Sequence, residues 1–121
     1  MFSVGTDIIE IERIKNSMKN KNFFKYVFGD EEYEMLKSKF FSPKSVAVNF
    51  CAKEAFFKSI GTGIRGYGLK NVQILRDGLG KPYFKFSGKV SEEVQSNGYK
   101  FSVSLSHSQE YAIATVLCYT E

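Results

Sequence analysis

The chain has 121 residues, of which 43% are hydrophobic and 25% charged, with a net charge of +4 at pH 7. Such a length and balance fit one globular domain over residues 1–121 and exclude a disordered chain. No apolar run is long enough to span a membrane and the start lacks the basic flank and cleavage site of a secretory leader, so a cytoplasmic protein with no membrane partner is expected.

Phe2 to Ile9 alternates weakly around Val4, Ile8 and Ile9 and is expected to be a short strand. Ile8, Ile11, Ile14 and Met18 then recur at helical spacing, so Glu10 to Lys19 reads as an amphipathic helix with Glu12, Arg13, Lys15 and Lys19 on its other side. Asn20-Lys21-Asn22 marks a turn and Phe23 to Phe28 a short aromatic stretch. Asp30-Glu31-Glu32 then puts acid at the start of a helix reaching about Lys37. Ser42-Pro43 is a strong helix start, a hydroxyl N-cap followed by proline, and the helix should run to about Ile60 and stop at Gly61.

Residues 71–76 read as a strand, Asp77-Gly78-Leu79-Gly80 as a hairpin turn, and Pro82 to Phe86 as the partner strand. Val90 to Gln95 reads as a short helix closed by Asn97-Gly98. Phe101, Val103 and Leu105 alternate with Ser102, Ser104 and Ser106, a strand with one apolar and one hydroxyl face. Ser106 to Glu110 turns the chain, and Tyr111 to Cys118 returns as an apolar strand. The order β-α-α-α-β-β-α-β-β indicates an α+β domain, a mostly antiparallel sheet packed with a long central helix. Twelve Phe and no Trp point to a Phe-rich core or interface. Two cysteines, Cys51 and Cys118, and a single histidine are too few for a disulfide framework or a zinc site, so both thiols are expected to be buried and free.

Two carboxylates stand inside apolar stretches: Asp7 in Val4-Gly5-Thr6-Asp7-Ile8-Ile9, and Glu54 in Asn49-Phe50-Cys51-Ala52-Lys53-Glu54-Ala55-Phe56-Phe57-Lys58. Burying such charges unpaired is costly, so a cation should meet them. A hard divalent ion such as Mg²⁺ is held by one or two carboxylates together with phosphate oxygens. The second stretch also carries Lys53 and Lys58 and exits into Gly61-Thr62-Gly63, which points to phosphate handling. Each signal also has a plainer reading. Glu54 and Lys58 can be a surface i,i+4 pair, Asp7 a helix cap, His107 a structural histidine between serines, and Gly80-Lys81-Pro82 a hairpin shoulder. Arg13, Lys15, Lys19, Lys21 and Lys25 form a stretch with no acid among them. It can be a solvated helix face, or it can meet nucleic acid, an anionic membrane or an acidic protein.

Taken together and in order, Gly5-Thr6-Asp7-Ile8-Ile9-Glu10-Ile11-Glu12-Arg13-Ile14, Phe50 to Gly63, Gly80-Lys81-Pro82 and Val103-Ser104-Leu105-Ser106-His107-Ser108 closely resemble the short, single-domain 4′-phosphopantetheinyl transferases, the holo-acyl-carrier-protein synthase family. The resemblance runs from Met1 to about Leu117 and implies the fold of that family. It also implies transfer of 4′-phosphopantetheine from coenzyme A to a serine of an apo-acyl carrier protein, releasing adenosine 3′,5′-bisphosphate and serving fatty-acid synthesis. By that resemblance Asp7 and Glu54 are the Mg²⁺ ligands, and Lys58 faces the pyrophosphate. Glu54, or a metal-bound water that it orients, is the base. Lys53, Lys58, Gly61, Lys81, Pro82, Ser106, His107 and Ser108 lie along coenzyme A, and Arg13, Lys21, Phe24 and Lys25 dock the acidic carrier protein. A homotrimer with active sites at subunit contacts is also implied.

Two positions depart from the family pattern. Asn49 stands where a basic residue often serves the nucleotide phosphates, with Lys44 or Lys53 as substitutes, and Val27 stands where an arginine often follows the docking phenylalanine. A non-catalytic protein that binds nucleic acid through the basic helix is the contrasting reading. It leaves Asp7, Glu54 and the Ser-His-Ser turn without a role and calls for steep salt dependence with no need of Mg²⁺. A degenerate relative that binds coenzyme A without turnover is disfavoured by the presence of Asp7, Glu54 and Lys58 together.

Overall fold

A computed structural model of the chain describes residues 1–62 and 68–121. Its elements are β1 (Phe2–Glu10), α1 (Ile11–Ser17), α2 (Lys21–Val27), α3 (Asp30–Ser38), α4 (Pro43–Ile60), a 3₁₀ turn (Leu69–Asn71), β2 (Val72–Arg76), β3 (Pro82–Phe86), α5 (Gly88–Asn97), β4 (Lys100–His107) and β5 (Tyr111–Tyr119). β1, β5 and β4 form a three-stranded sheet in that order, and β2 pairs with β3; every pairing is antiparallel. The expected α+β class with antiparallel sheets and a long central helix is borne out.

The 18-residue α4 is the spine of the fold. Proline opens it, and Gly61 ends it in the left-handed region at φ 74°, where glycine pays no Cβ penalty. The Ser42 side chain makes no capping bond, so the expected hydroxyl cap is not formed. One side of α4 packs on the inward faces of the sheet, against Ile9, Ala112, Ala114 and Val116. Small residues on β5 let the helix lie close. The far half of α4 brings Phe56 and Phe57 into a second core with Val72, Val90 and Val94. Phe56 stands 5.4, 5.1 and 5.0 Å, ring to ring, from Phe84, Phe86 and Phe101, which accounts for much of the phenylalanine content. Both cysteines are free and buried, as expected.

The chain between the first two long elements differs from expectation. Lys21–Val27 is a helix, and Asn20, read as part of a turn, is its N-cap, accepting a hydrogen bond from the Asn22 amide at 2.9 Å. β1 extends to Glu10, so α1 starts one residue later than its periodicity implied. α3 reaches α4 through Phe40 and Phe41, both at positive φ (56° and 51°), a conformation costly for a side chain with a Cβ. Phe41 holds the turn by packing on Phe24 and Tyr33 at 5.0 and 5.2 Å, while Phe40 is 92% exposed. No helix among the described residues is long and apolar enough to cross a membrane.

Candidate active site

Gly5 sets how closely β1 approaches α4. A Cβ at that position would meet the Ala55 carbonyl oxygen and lie 2.5 Å from the Ser59 amide nitrogen. Strand alternation then puts Asp7 on the same inward face, opposite the segment of α4 that carries Cys51, Glu54 and Lys58. Lys58 donates from Nζ to Asp7 Oδ1 at 3.1 Å and to the Thr6 carbonyl at 3.0 Å. Its side chain is 57% exposed, so this pair adds little stability and the ammonium can turn to an incoming anion. Cys51 donates from Sγ to the Asp7 carbonyl at 3.1 Å and lies 3.6 Å from Asp7 Oδ2. Burial, and then the negative Asp7, push its thiol up to about 12, so it serves as a protonated donor and not as a nucleophile.

Glu54 is half-buried beside this pair. Burial raises its carboxyl above the ordinary range, and the charge on Asp7 raises it further; Lys58 and Arg13 pull it back only in part. Two carboxylates in one field with incomplete cationic compensation form a donor set that fits a hard divalent ion completed by substrate oxygens. The sequence-identified residues Asp7, Glu54 and Lys58 are therefore brought together at one place.

A cavity of about 380 Å³ lies elsewhere, beside the edge strand β4 and the β2–β3 hairpin. Pro82, Ser106 and His107 line it together with Lys39, Ser45, Ser104 and Arg76. Arg76 was not among the sequence candidates, yet strand parity places it on the face of Val72 and Ile74, both fully buried. An arginine at the end of an inward-facing set was the available signal. β5 lies between β1, which carries Asp7, and β4, which carries Ser106 and His107, and the cavity does not include Asp7, Glu54 or Lys58.

Several expected contacts are redistributed. Lys53, expected along coenzyme A, is 0% exposed. Its ammonium donates to Glu32 Oε1 at 2.6 Å and to the Leu69 and Val72 carbonyls at 3.1 and 2.6 Å, so all of its donors are used inside the core. It cannot replace a basic residue at position 49. Asn49 is itself fully buried, donating to Glu32 Oε2 and to the Ile74 carbonyl, both at 3.0 Å. Gly61 caps the end of α4 remote from the cavity, and Gly63 of the Gly-Thr-Gly exit lies outside the described residues. Lys81 and Ser108 do not line the cavity. Ser108 closes the β4–β5 turn, accepting from the Glu110 and Tyr111 amides at 3.3 and 3.1 Å.

The expected docking residues also divide. Arg13 is exposed and lines one hollow with Asn16, Ser17 and Asn20, whereas Lys21, Phe24 and Lys25 line another with Tyr33 and Lys70. Phe24 is packed against Phe23, Phe28 and Phe41 and shows only part of its ring.

Residues 3–116 match the 4′-phosphopantetheinyl transferase superfamily. A holo-[acyl-carrier-protein] synthase of Clostridium botulinum (strain Eklund 17B / Type B) is 45% identical over 112 residues, covering 92% of this chain and 91% of that protein. Among solved structures, the holo-[acyl-carrier-protein] synthase of Neisseria meningitidis superposes with a TM-score of 0.88 at 32% identity, covering 98% of each chain. A holo-(acyl-carrier-protein) synthase of Bacillus anthracis str. Ames, solved in complex with CoA (3′,5′-ADP), gives a TM-score of 0.81 at 28% identity over 98% of this chain and 96% of that one. A family pattern across nearly the whole length, together with a shared fold, leaves one assignment: the chain belongs to the 4′-phosphopantetheinyl transferase superfamily.

Proposed function

We propose that the protein transfers the 4′-phosphopantetheine arm of coenzyme A to a serine of an apo-acyl carrier protein in a Mg²⁺-dependent reaction in the cytoplasm. The observation that carries this reading is the convergence of Asp7, Glu54 and Lys58 where β1 crosses α4. The serine oxygen bonds to the β-phosphorus of the donor. The bond from that phosphorus to the bridging oxygen breaks, and adenosine 3′,5′-bisphosphate leaves with the electron pair. Asp7 and Glu54 would hold Mg²⁺, which supplies neutralisation of the pyrophosphate charge. Lys58, exposed and hydrogen-bonded to Asp7 and the Thr6 carbonyl, orients the pyrophosphate through its ammonium. Glu54, or a water that it orients, takes the serine proton, since its carboxylate stands beside the pyrophosphate-facing Lys58. Transfer itself is the test: adenosine 3′,5′-bisphosphate should appear one for one with modified carrier, and only with a divalent cation present.

The carrier is an acidic partner in this reading, and Arg13 with Lys21 and Lys25 supplies the complementary charge. Assembly as a homotrimer is supported by the outer face of the sheet, where Phe2, Val4 and Ile8 are 78%, 61% and 62% exposed. It is supported also by the separation of Asp7 from the Ser106–His107 cavity by a full strand. A neighbouring copy would bring the two half-sites together while covering that face. Asp7→Ala and His107→Ala variants, each poorly active alone, should regain part of the activity when their subunits are exchanged. A fully active monomer in light scattering would contradict the assembly.

A further inference from the structure

The cavity beside β4 is cationic and hydroxyl-lined. Lys39 and Arg76 supply positive charge, Ser45, Ser104 and Ser106 supply hydroxyls, and no carboxylate is among its described lining residues. Arg76 enters it on a built support. Its Nη2 donates to Asn49 Oδ1 at 3.3 Å. The orientation of that amide is set, because Asn49 Nδ2 already donates to Glu32 Oε2 and the Ile74 carbonyl, both at 3.0 Å. Glu32 is in turn neutralised by Lys53 at 2.6 Å. Arg76 Nη1 donates to the Leu75 carbonyl at 3.4 Å. The guanidinium is thus held by the chain at one corner and aimed by a buried network at the other, and its remaining N–H groups face the hollow free of any hydrogen-bond partner among the described residues. A planar fork of N–H groups in a hydroxyl-lined hollow matches a phosphate monoester, which it can hold through paired hydrogen bonds.

Coenzyme A carries anionic groups at two places, the pyrophosphate and the ribose 3′-phosphate. The pyrophosphate contains the reacting phosphorus and belongs with Asp7, Glu54 and Lys58. The 3′-phosphate is the group left for the other cavity. We infer that Arg76, aimed by Asn49, grips the 3′-phosphate of the coenzyme and thereby selects coenzyme A over its dephospho form. This deepens the transferase reading and rests on it. Asn49 is then a positioning residue, and the charge absent from position 49 arrives from the end of β2.

The test compares coenzyme A with dephospho-coenzyme A as donors for the wild-type protein, Arg76→Gln and Arg76→Lys, with thermal melting to verify folding. Calorimetric titration of adenosine 3′,5′-bisphosphate against adenosine 5′-monophosphate provides a readout without turnover. Loss of charge-assisted hydrogen bonds of this kind should raise the KM for coenzyme A about 10- to 100-fold in Arg76→Gln. kcat and the KM for dephospho-coenzyme A should stay within about twofold. The preference for the bisphosphate should collapse in parallel. Arg76→Lys, which keeps the charge and loses the fork, should fall between. Equal losses for both donors, an unchanged KM for coenzyme A, or a wild-type protein indifferent to the 3′-phosphate would each overturn the inference while leaving transfer intact. Absence of both transfer and bisphosphate binding in the wild-type protein would remove the transferase reading as well.

Discussion

Asp7→Ala and Glu54→Ala should each lower turnover by at least about a hundredfold, because each would remove a ligand of the proposed Mg²⁺ and part of the negative field that would hold it. The fold should survive both changes. Asp7 is tied to the protein by a mostly exposed lysine and by a thiol that can keep its bond to the Asp7 backbone carbonyl. Glu54 gains from the loss of its neighbour. Its carboxyl is raised by burial first and by Asp7 second, so in Asp7→Asn it should titrate at lower pH than in the wild-type protein. Turnover at saturating Mg²⁺, thermal melting and NMR titration of Glu54 check the three parts. Near-normal turnover in either alanine variant, or a Glu54 titration that moves upward, would contradict a shared cation site.

Lys53→Met should cost about 3–5 kcal/mol of stability, because it leaves the Glu32 carboxylate buried without its counter-charge. Burial already pushes Glu32 toward its neutral form and Lys53 toward its neutral amine. Their 2.6 Å contact is what opposes both tendencies. Glu32→Gln should destabilise as well, since Glu32 also accepts from the Asn49 side chain and from the Gly29 and Ile74 amides. The double variant should lose clearly less than the sum of the two, the signature of coupled neighbours. Urea unfolding of the four proteins measures the cycle. Additive losses would mean that the pair is not coupled. A raised KM for coenzyme A with unchanged stability in Lys53→Met would return this lysine to the coenzyme.

The regular elements with strong local punctuation were legible from residues alone. Proline and glycine bracket α4, Asp77 to Gly80 turns the β2–β3 hairpin, and serine alternation marks β4. α2 was not legible, because Lys21–Val27 is only about two turns long, too short for its Lys21, Asn22 and Lys25 side to establish a helical period, and its cap Asn20 also reads as a turn residue. Asp7, Glu54 and Lys58 stood out as charges in apolar surroundings, which is a local property. The fate of Lys53 is not local. It flanks Glu54 in sequence, yet its ammonium runs to Glu32 on another helix and to carbonyls near β2. Arg76 was detectable by strand parity, but its long-range contact with Asn49, 27 positions away, is not readable from local sequence.

The most direct measurement of the central claim is the intact mass of an apo-acyl carrier protein after incubation with this protein, coenzyme A and Mg²⁺. The carrier should gain one phosphopantetheine group, the gain should vanish when its modified serine is replaced by alanine, and chelation of the metal should abolish it. No mass gain across several carrier proteins, with folded protein and metal present, would contradict the account.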